Sequence, residues 1–158
     1  GIEGGFFFAY CSEVISEDTI QFLKSCWIRP EDTRKYSEIT SYFKIVGRSM
    51  PRSKVIRCIR AYLEESWDGD LIDIMCGGLG TFALMHGSYL NNKSLDEHRF
   101  FEKVTSCDKN CTRCSYCEEL ARELIRIIGF TEEKIEDKNL KDFIKNFENE
   151  GAINKLPP

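Results

Sequence analysis

A strand that runs into a helix is predicted by residues 42–63, which read YFKIVGRSMPRSKVIRCIRAYL. The apolar run 42–47 suits an interior strand of a parallel sheet. Pro51 suits the first turn of a helix. The apolar residues of that helix recur at the spacing of one stripe and are Val55, Ile56, Ile59, Tyr62 and Leu63. Because short loops between such elements favour right-handed crossovers, the stretch predicts an α/β fold with parallel strands.

The flanking residues extend this pattern. Residues 26–28 form a short strand-like run that leads to Pro30, where a helix with Glu31 and Asp32 in its first turn is expected. Residues 71–76 suit another short strand or a buried turn. Strands and helices in alternation are typical of a parallel sheet.

A polar break at residues 91–93 indicates a boundary between two parts of the chain. After it, Ser94 and Glu97 form a capping-box pair that predicts the start of a helix. We therefore expect residues 1–90 to hold the α/β part and residues 91–158 to form a small Cys-rich helical appendage.

Four cysteines fall within eleven residues of this appendage, and we call them the cysteine quartet: Cys107, Cys111, Cys114 and Cys117. Thiols so close together are crowded for two unstrained disulfides, whereas one soft metal centre binds several thiolates. Structural zinc usually uses two short cysteine pairs a dozen or more residues apart, while dense runs are commoner around iron-sulfur clusters. The spacing therefore predicts an iron-sulfur site, with zinc, disulfides and free thiols as alternatives.

A helix is predicted directly after the quartet. Ser115 and Glu118 form a second capping-box pair, which opens an amphipathic run that stops at Gly129. Cys117 would then lie in a first helical turn, where unpaired amides and the helix dipole stabilise a thiolate.

Basic residues are concentrated between residues 44 and 60, a stretch without acids in a chain of net charge −4. In α/β folds, anions bind at the carboxyl ends of strands and at helix N-termini, where Arg48 and Arg52 are expected. Together with Lys44 and Arg29 they are the candidates for binding a small anionic substrate. The alternative is an ordinary solvated helix face.

The composition argues against a nucleic-acid-binding protein and against a membrane-spanning one. A net charge of −4 gives no global attraction to nucleic acid or to an anionic membrane. No stretch reaches the roughly 20 apolar residues of a membrane span. We expect a cytoplasmic protein without membrane contact, whose eight cysteines serve metal or redox chemistry. Because the chain begins at Gly1, we also expect a fragment, completed by a missing N-terminal portion or by a partner subunit.

Two blocks in the same order, residues 42–48 and Ile59-Arg60-Ala61-Tyr62, resemble the collagenase-like peptidase family U-thirty-two. The segment from Trp27 to Asp32 is similar to that of an anaerobe-type branch. The resemblance covers about residues 11–75. It implies that the first part of the chain corresponds to the last strands and helices of a TIM-type parallel barrel.

The resemblance also implies a chemistry. Relatives in this family act as oxygen-independent hydroxylases of quinone precursors or RNA bases and bind a 4Fe-4S cluster through cysteines. By this resemblance Cys11, and less directly Cys26, become further candidate ligands, and RNA bases stay among the possible substrates although nucleic-acid binding is not expected from the charge.

Three functions follow from the sequence. The first is an iron-sulfur redox enzyme, or part of one, that modifies an anionic organic substrate with the help of an electron donor. The second is the peptide hydrolysis for which the family is named, although the sequence contains no His-Glu-x-x-His motif and no recognisable catalytic triad. The third is a zinc-stabilised interaction module without catalytic activity.

Overall fold

The computed structural model describes residues 14–15, 17–25, 27–47, 50–75 and 87–128. The α-helices of these ranges are α1 (Ile20–Lys24), α2 (Arg52–Leu63), α3 (Ser94–Glu97), α4 (Phe100–Thr105) and α5 (Tyr116–Leu124). Two 3-10 helices span Pro30–Tyr36 and Leu71–Asp73, and two strands are β1 (Ser88–Leu90) and β2 (Ile125–Ile127). None of the described helices has the length and apolar character needed to cross a bilayer.

The two strands pair antiparallel, with Tyr89 opposite Arg126. Asp70 ties this sheet to the second 3-10 helix. Its Oδ1 accepts a hydrogen bond from the Leu90 N–H and another from the Ile72 N–H, each at 3.1 Å. One carboxylate therefore holds the start of the helix and the end of β1 together.

Within the described ranges, the helices and strands pack around an apolar core. It consists of Phe22, Leu23, Ala61, Leu71, Ile72, Ile74, Leu90, Leu95, Phe100, Leu120 and Ala121. Trp27 packs against this core and stacks on Phe100, with 5.0 Å between the ring centroids. Residues from both sides of position 90 share the core, and the division into two parts stays a prediction about domain organisation.

The interior strand predicted for residues 42–47 is wrong for the described chain, because these residues contain no regular secondary structure. Tyr42 is 88% exposed and Val46 is 53% exposed. A strand needs neighbours for its backbone hydrogen bonds, and the described residues offer residues 42–47 no neighbouring strand. Residues 27–29 likewise form no strand. The parallel sheet and the TIM-type barrel remain predictions.

The helix predicted after Pro51 is confirmed as α2, but it buries a different face from the one expected. Lys54, Cys58 and Ala61 are buried, whereas Leu63 is 80% exposed. Lys54 is tolerated there because its ammonium donates to the Ile72 carbonyl at 3.0 Å. The predicted apolar stripe is thus largely left at the surface.

Other helices differ from the prediction in extent. The helix expected at Pro30 is a 3-10 helix, and the turn expected near Leu71 is confirmed as a short buried 3-10 helix. The helix expected from Ser94 is interrupted at Arg99, whose φ of 51° separates α3 from α4. α5 ends at Leu124 because the chain continues into β2 rather than to residue 128.

Candidate metal centre

The loop that carries the quartet is shaped by local hydrogen bonds. α4 closes with the Ser106 hydroxyl donating to the Glu102 carbonyl at 2.6 Å. Lys109 has a φ of 60°, and its N–H donates to the Cys107 sulfur at 3.3 Å. The Asn110 N–H donates to an Asp108 carboxylate oxygen at 2.9 Å. These turns fold the loop back on itself, so that its cysteines return to the start of α5.

The quartet lines one cavity of about 70 Å³. None of the four forms a disulfide in the structure. Cys107, Cys111 and Cys114 are exposed, and Cys117 is half-buried. The other wall comes from Ile20 and Lys24 of α1 with Asn110 and Glu118. The structure thus brings together the four cysteines that the spacing singled out.

No motif in the sequence predicts the contribution of α1 to this cavity. Lys24 is distant from the quartet along the chain, and only the packing of α1 against α5 brings its cation to the cavity. A cation beside several sulfurs offsets the negative charge that thiolate ligands accumulate. Lys24 is therefore the additional residue that the structure assigns to this site.

Cys117 lies in the first turn of α5, as the sequence predicts, and the stabilisation of its thiolate stays a prediction. Burial raises the pKa of Cys117, and the neighbouring Cys107 and Cys111 thiols raise it further, with Lys24 opposing them. The predicted capping box is wrong, because the Ser115 hydroxyl donates to Glu119 and makes no cap to the backbone. A metal ion that bound Cys117 would displace the thiol proton, because the thiolate is the ligand form of cysteine.

The side chains do not stand in coordination geometry. Across the residues that the structure describes, no three His, Cys, Asp or Glu side chains are arranged to hold a metal ion as they are. The donor set nevertheless suits a soft metal centre, because four thiols share one cavity and three of them are exposed.

Arg29 lies in a buried ionic cluster and not at an anion site. It is 2% exposed. Its Nε donates to Asp32 at 2.8 Å, and its Nη2 donates to Asp96 at 2.6 Å. Its Nη1 donates to the carbonyl of Asn92 at 3.1 Å. Because these groups occupy the guanidinium, the structure corrects the prediction that Arg29 binds substrate.

Asn92 and Glu31 complete this cluster. Asn92 is fully buried, and its amide donates to Glu31 at 2.8 Å and to the Trp67 carbonyl at 2.7 Å. Burial opposes the charge of Glu31, but hydrogen bonds from the Trp67 N–H and Asn92 outweigh it and lower the pKa of Glu31. Lys93 adds an ion pair to Glu31 at 3.0 Å. The cluster joins the Pro30–Tyr36 helix to the segment before α3.

The remaining candidates are not brought to the quartet cavity. Lys44 and Arg52 are exposed, and neither lines that cavity. Arg48, Cys11 and Cys26 lie outside the described residues.

Comparison with known proteins finds a similar archaeal protein. The chain is 41% identical over 106 residues to an uncharacterized protease of Methanocaldococcus jannaschii. The match takes up 66% of this chain and 30% of the relative. No family model and no solved structure matches the chain.

The chain thus spans less than a third of the relative it matches. The similarity supports the protease-like relationship predicted from the sequence blocks. Along 66% of its length, the chain is similar to a protein that carries the name of a protease.

Proposed function

We propose that the chain is a cluster-binding part of an iron-sulfur redox enzyme, with the cysteine quartet as ligands of a 4Fe-4S cluster. The observation that supports this most is the convergence of all four thiols on one cavity. When bound, such a cluster supplies one-electron transfer. The chain's own residues hold it in place, exclude part of the solvent and set the charge around it.

The placement of each cysteine supports this assignment over two disulfides. Cys117 is fixed on the first turn of α5, whereas the other three lie in a loop with exposed side chains. A site with one anchored ligand and three adaptable ones can close around a centre without distorting the core. Lys24 then lies beside the thiolates and lowers the electrostatic cost of gathering them.

The substrate and partners belong to the same proposal. Lys44 and Arg52 are exposed cations available to an anionic organic substrate. The proposed reaction is oxygen-independent hydroxylation, as in the hydroxylases that the sequence blocks resemble: an organic oxygen donor gives its oxygen atom to a C–H bond of the substrate and is itself reduced by two electrons. An electron donor that sets the oxidation state of the cluster docks near the exposed thiols. A cytoplasmic location follows from the need to keep the quartet reduced. Cys11 stays a further candidate ligand by resemblance alone.

Anaerobic purification tests the proposal. We expect a brown protein with broad visible absorption that bleaches with dithionite, and iron and sulfide in equal amounts. Cys111→Ser should remove most of the colour. Cys58→Ala is the matched control, because Cys58 is buried in α2 away from the quartet cavity and should leave the iron content unchanged.

Two results would overturn the cluster assignment. A colourless protein with stoichiometric zinc that is lost in Cys111→Ser would make the chain a zinc-stabilised interaction module. A protein that binds neither iron nor zinc under these conditions would remove the metal centre altogether.

Peptide hydrolysis is the second candidate, favoured by the name of the archaeal relative. Its test is cleavage of gelatin or casein by the purified chain, before and after removal of metal. Hydrolysis that persists without metal and in Cys111→Ser would place this activity first.

A further inference from the structure

The turn that begins at Cys107 places a backbone donor on one sulfur of the quartet. The Lys109 N–H donates to the Cys107 sulfur at 3.3 Å. In the part of the chain that the structure describes, no other quartet sulfur accepts a hydrogen bond. Hydrogen bonds to ligand sulfurs are among the features that set the reduction potential of an iron-sulfur cluster. The turn therefore gives Cys107 a contact that matters for a metal ligand.

Lys109 adopts a backbone conformation that its residue type disfavours. Its φ of 60° lies in the left-handed region, which residues other than glycine, asparagine and aspartate rarely adopt. Such a conformation persists only where neighbouring contacts hold it, and these conformations cluster at functional sites. At Lys109 it accompanies an N–H that is directed back to the sulfur two residues earlier.

The contacts that hold this conformation come from Asp108. One oxygen of its carboxylate accepts a hydrogen bond from the Asn110 N–H at 2.9 Å, and the other pairs with Arg113 at 3.5 Å. The Asn110 carbonyl in turn accepts from the Arg113 N–H at 3.1 Å. These contacts join residues on both sides of Lys109, so they keep its N–H in place without help from the core.

We infer that Lys109 is a positioning residue of the quartet. Its N–H orients the Cys107 sulfur and stays hydrogen-bonded to it when that sulfur becomes a metal ligand. This inference rests on the proposed function. Because a hydrogen bond is stronger to a more electron-rich sulfur, it stabilises the reduced cluster more than the oxidised one and raises the reduction potential. The Lys109 ammonium group has no part in this effect.

Two pairs of substitutions separate the backbone from the side chains. Lys109→Gly and Lys109→Val both remove the ammonium group and keep the N–H, but only glycine adopts a positive φ readily. Asp108→Asn and Asp108→Ala both remove the carboxylate charge, but only asparagine keeps an oxygen that can accept from the Asn110 N–H. Because Asp108 and Lys109 are exposed, all four variants should unfold at the temperature of the parent.

Each variant of the 158-residue chain is measured in two ways. Co²⁺ alone is added to the reduced, iron-free chain, and the absorption of the cobalt–thiolate bonds gives the affinity of the quartet. Redox titration of the reconstituted protein gives the reduction potential. We expect Lys109→Val to bind Co²⁺ roughly tenfold more weakly than Lys109→Gly, and to have the lower reduction potential. Asp108→Ala should differ from Asp108→Asn in the same direction.

Two results would overturn the inference and leave the cluster assignment standing. Lys109→Gly and Lys109→Val could match the parent in both measurements. They could also lose affinity equally, which would transfer the effect to the ammonium group. If Lys109→Val does not fold, equal values for Asp108→Ala and Asp108→Asn would overturn the inference in its place.

The Co²⁺ measurement also keeps the two proposals apart. A parent chain that binds Co²⁺ but assembles no cluster would refute the proposed function, and the comparison of Lys109→Val with Lys109→Gly would still decide the role of the turn. A parent chain that binds neither Co²⁺ nor iron would overturn both.

Discussion

Removing the Arg29 guanidinium is expected to destabilise the fold strongly. Arg29 and Asp32 have side chains that are 2% and 5% exposed, and their ion pair measures 2.8 Å. Breaking a buried pair by deleting one partner costs about 3–5 kcal/mol, because the other charge stays buried without compensation. Asp32 keeps a second ion pair with Lys35 at 3.1 Å, so we expect a cost at the low end of this range. We expect Arg29→Met to lower the free energy of unfolding by about 3 kcal/mol.

Urea unfolding followed by far-UV circular dichroism measures this cost. The control is Asp96→Asn, because Asp96 is 51% exposed and its pair with Arg29 should contribute only about 1 kcal/mol or less. The double variant Arg29→Met with Asp32→Leu removes both charges and should recover part of the loss. A cost below about 1 kcal/mol for Arg29→Met, or no recovery in the double variant, would refute the structural role.

Three further outcomes are expected. Lys24→Gln removes a positive charge beside the quartet, so it should weaken metal binding or lower the reduction potential of a bound cluster. Metal competition and redox titration measure these two effects. Lys44→Gln is the control and should match the parent. Burial raises the pKa of Asp70 from its usual 3.8 to about 6, so its contribution to stability is present below pH 4 and is lost as the pH rises through 6. Asp70→Asn keeps a carbonyl acceptor but cannot titrate. The difference in melting temperature between this variant and the parent should therefore change between about pH 4 and pH 6 and stay constant at higher pH. Asn92→Leu should lower the free energy of unfolding by about 1–3 kcal/mol, because the buried Glu31 loses a donor; a cost within 0.5 kcal/mol would argue against the cluster.

Local signals in the sequence predicted some elements well. Pro51 and the apolar periodicity located α2, and the cysteine spacing located the quartet. Periodicity failed on which face of α2 is buried, because the buried face includes Lys54, whose ammonium is satisfied only by a carbonyl from a later segment of the chain. It also failed at Leu124, where a helical pattern gives way to β2 because β1 offers backbone partners from a distant part of the chain.

Of the candidate site, only the residues that are close together in the sequence could be predicted. The cysteines are neighbours in the chain, so their grouping could be read directly. Lys24 reaches the cavity through tertiary packing, and no motif connects it to the quartet. The sequence makes Arg29 a candidate for binding an anionic substrate, but Asp96, which lies far along the chain, accepts a hydrogen bond from its guanidinium.

Three of the quartet thiols face the solvent, and this governs how the protein must be handled. Oxygen, chelators and contaminating metal ions can all reach these exposed sulfurs. In a sample prepared in air, these thiols will be oxidised and their metal exchanged during handling. The measured metal content will then reflect the purification conditions more than the content in the cell.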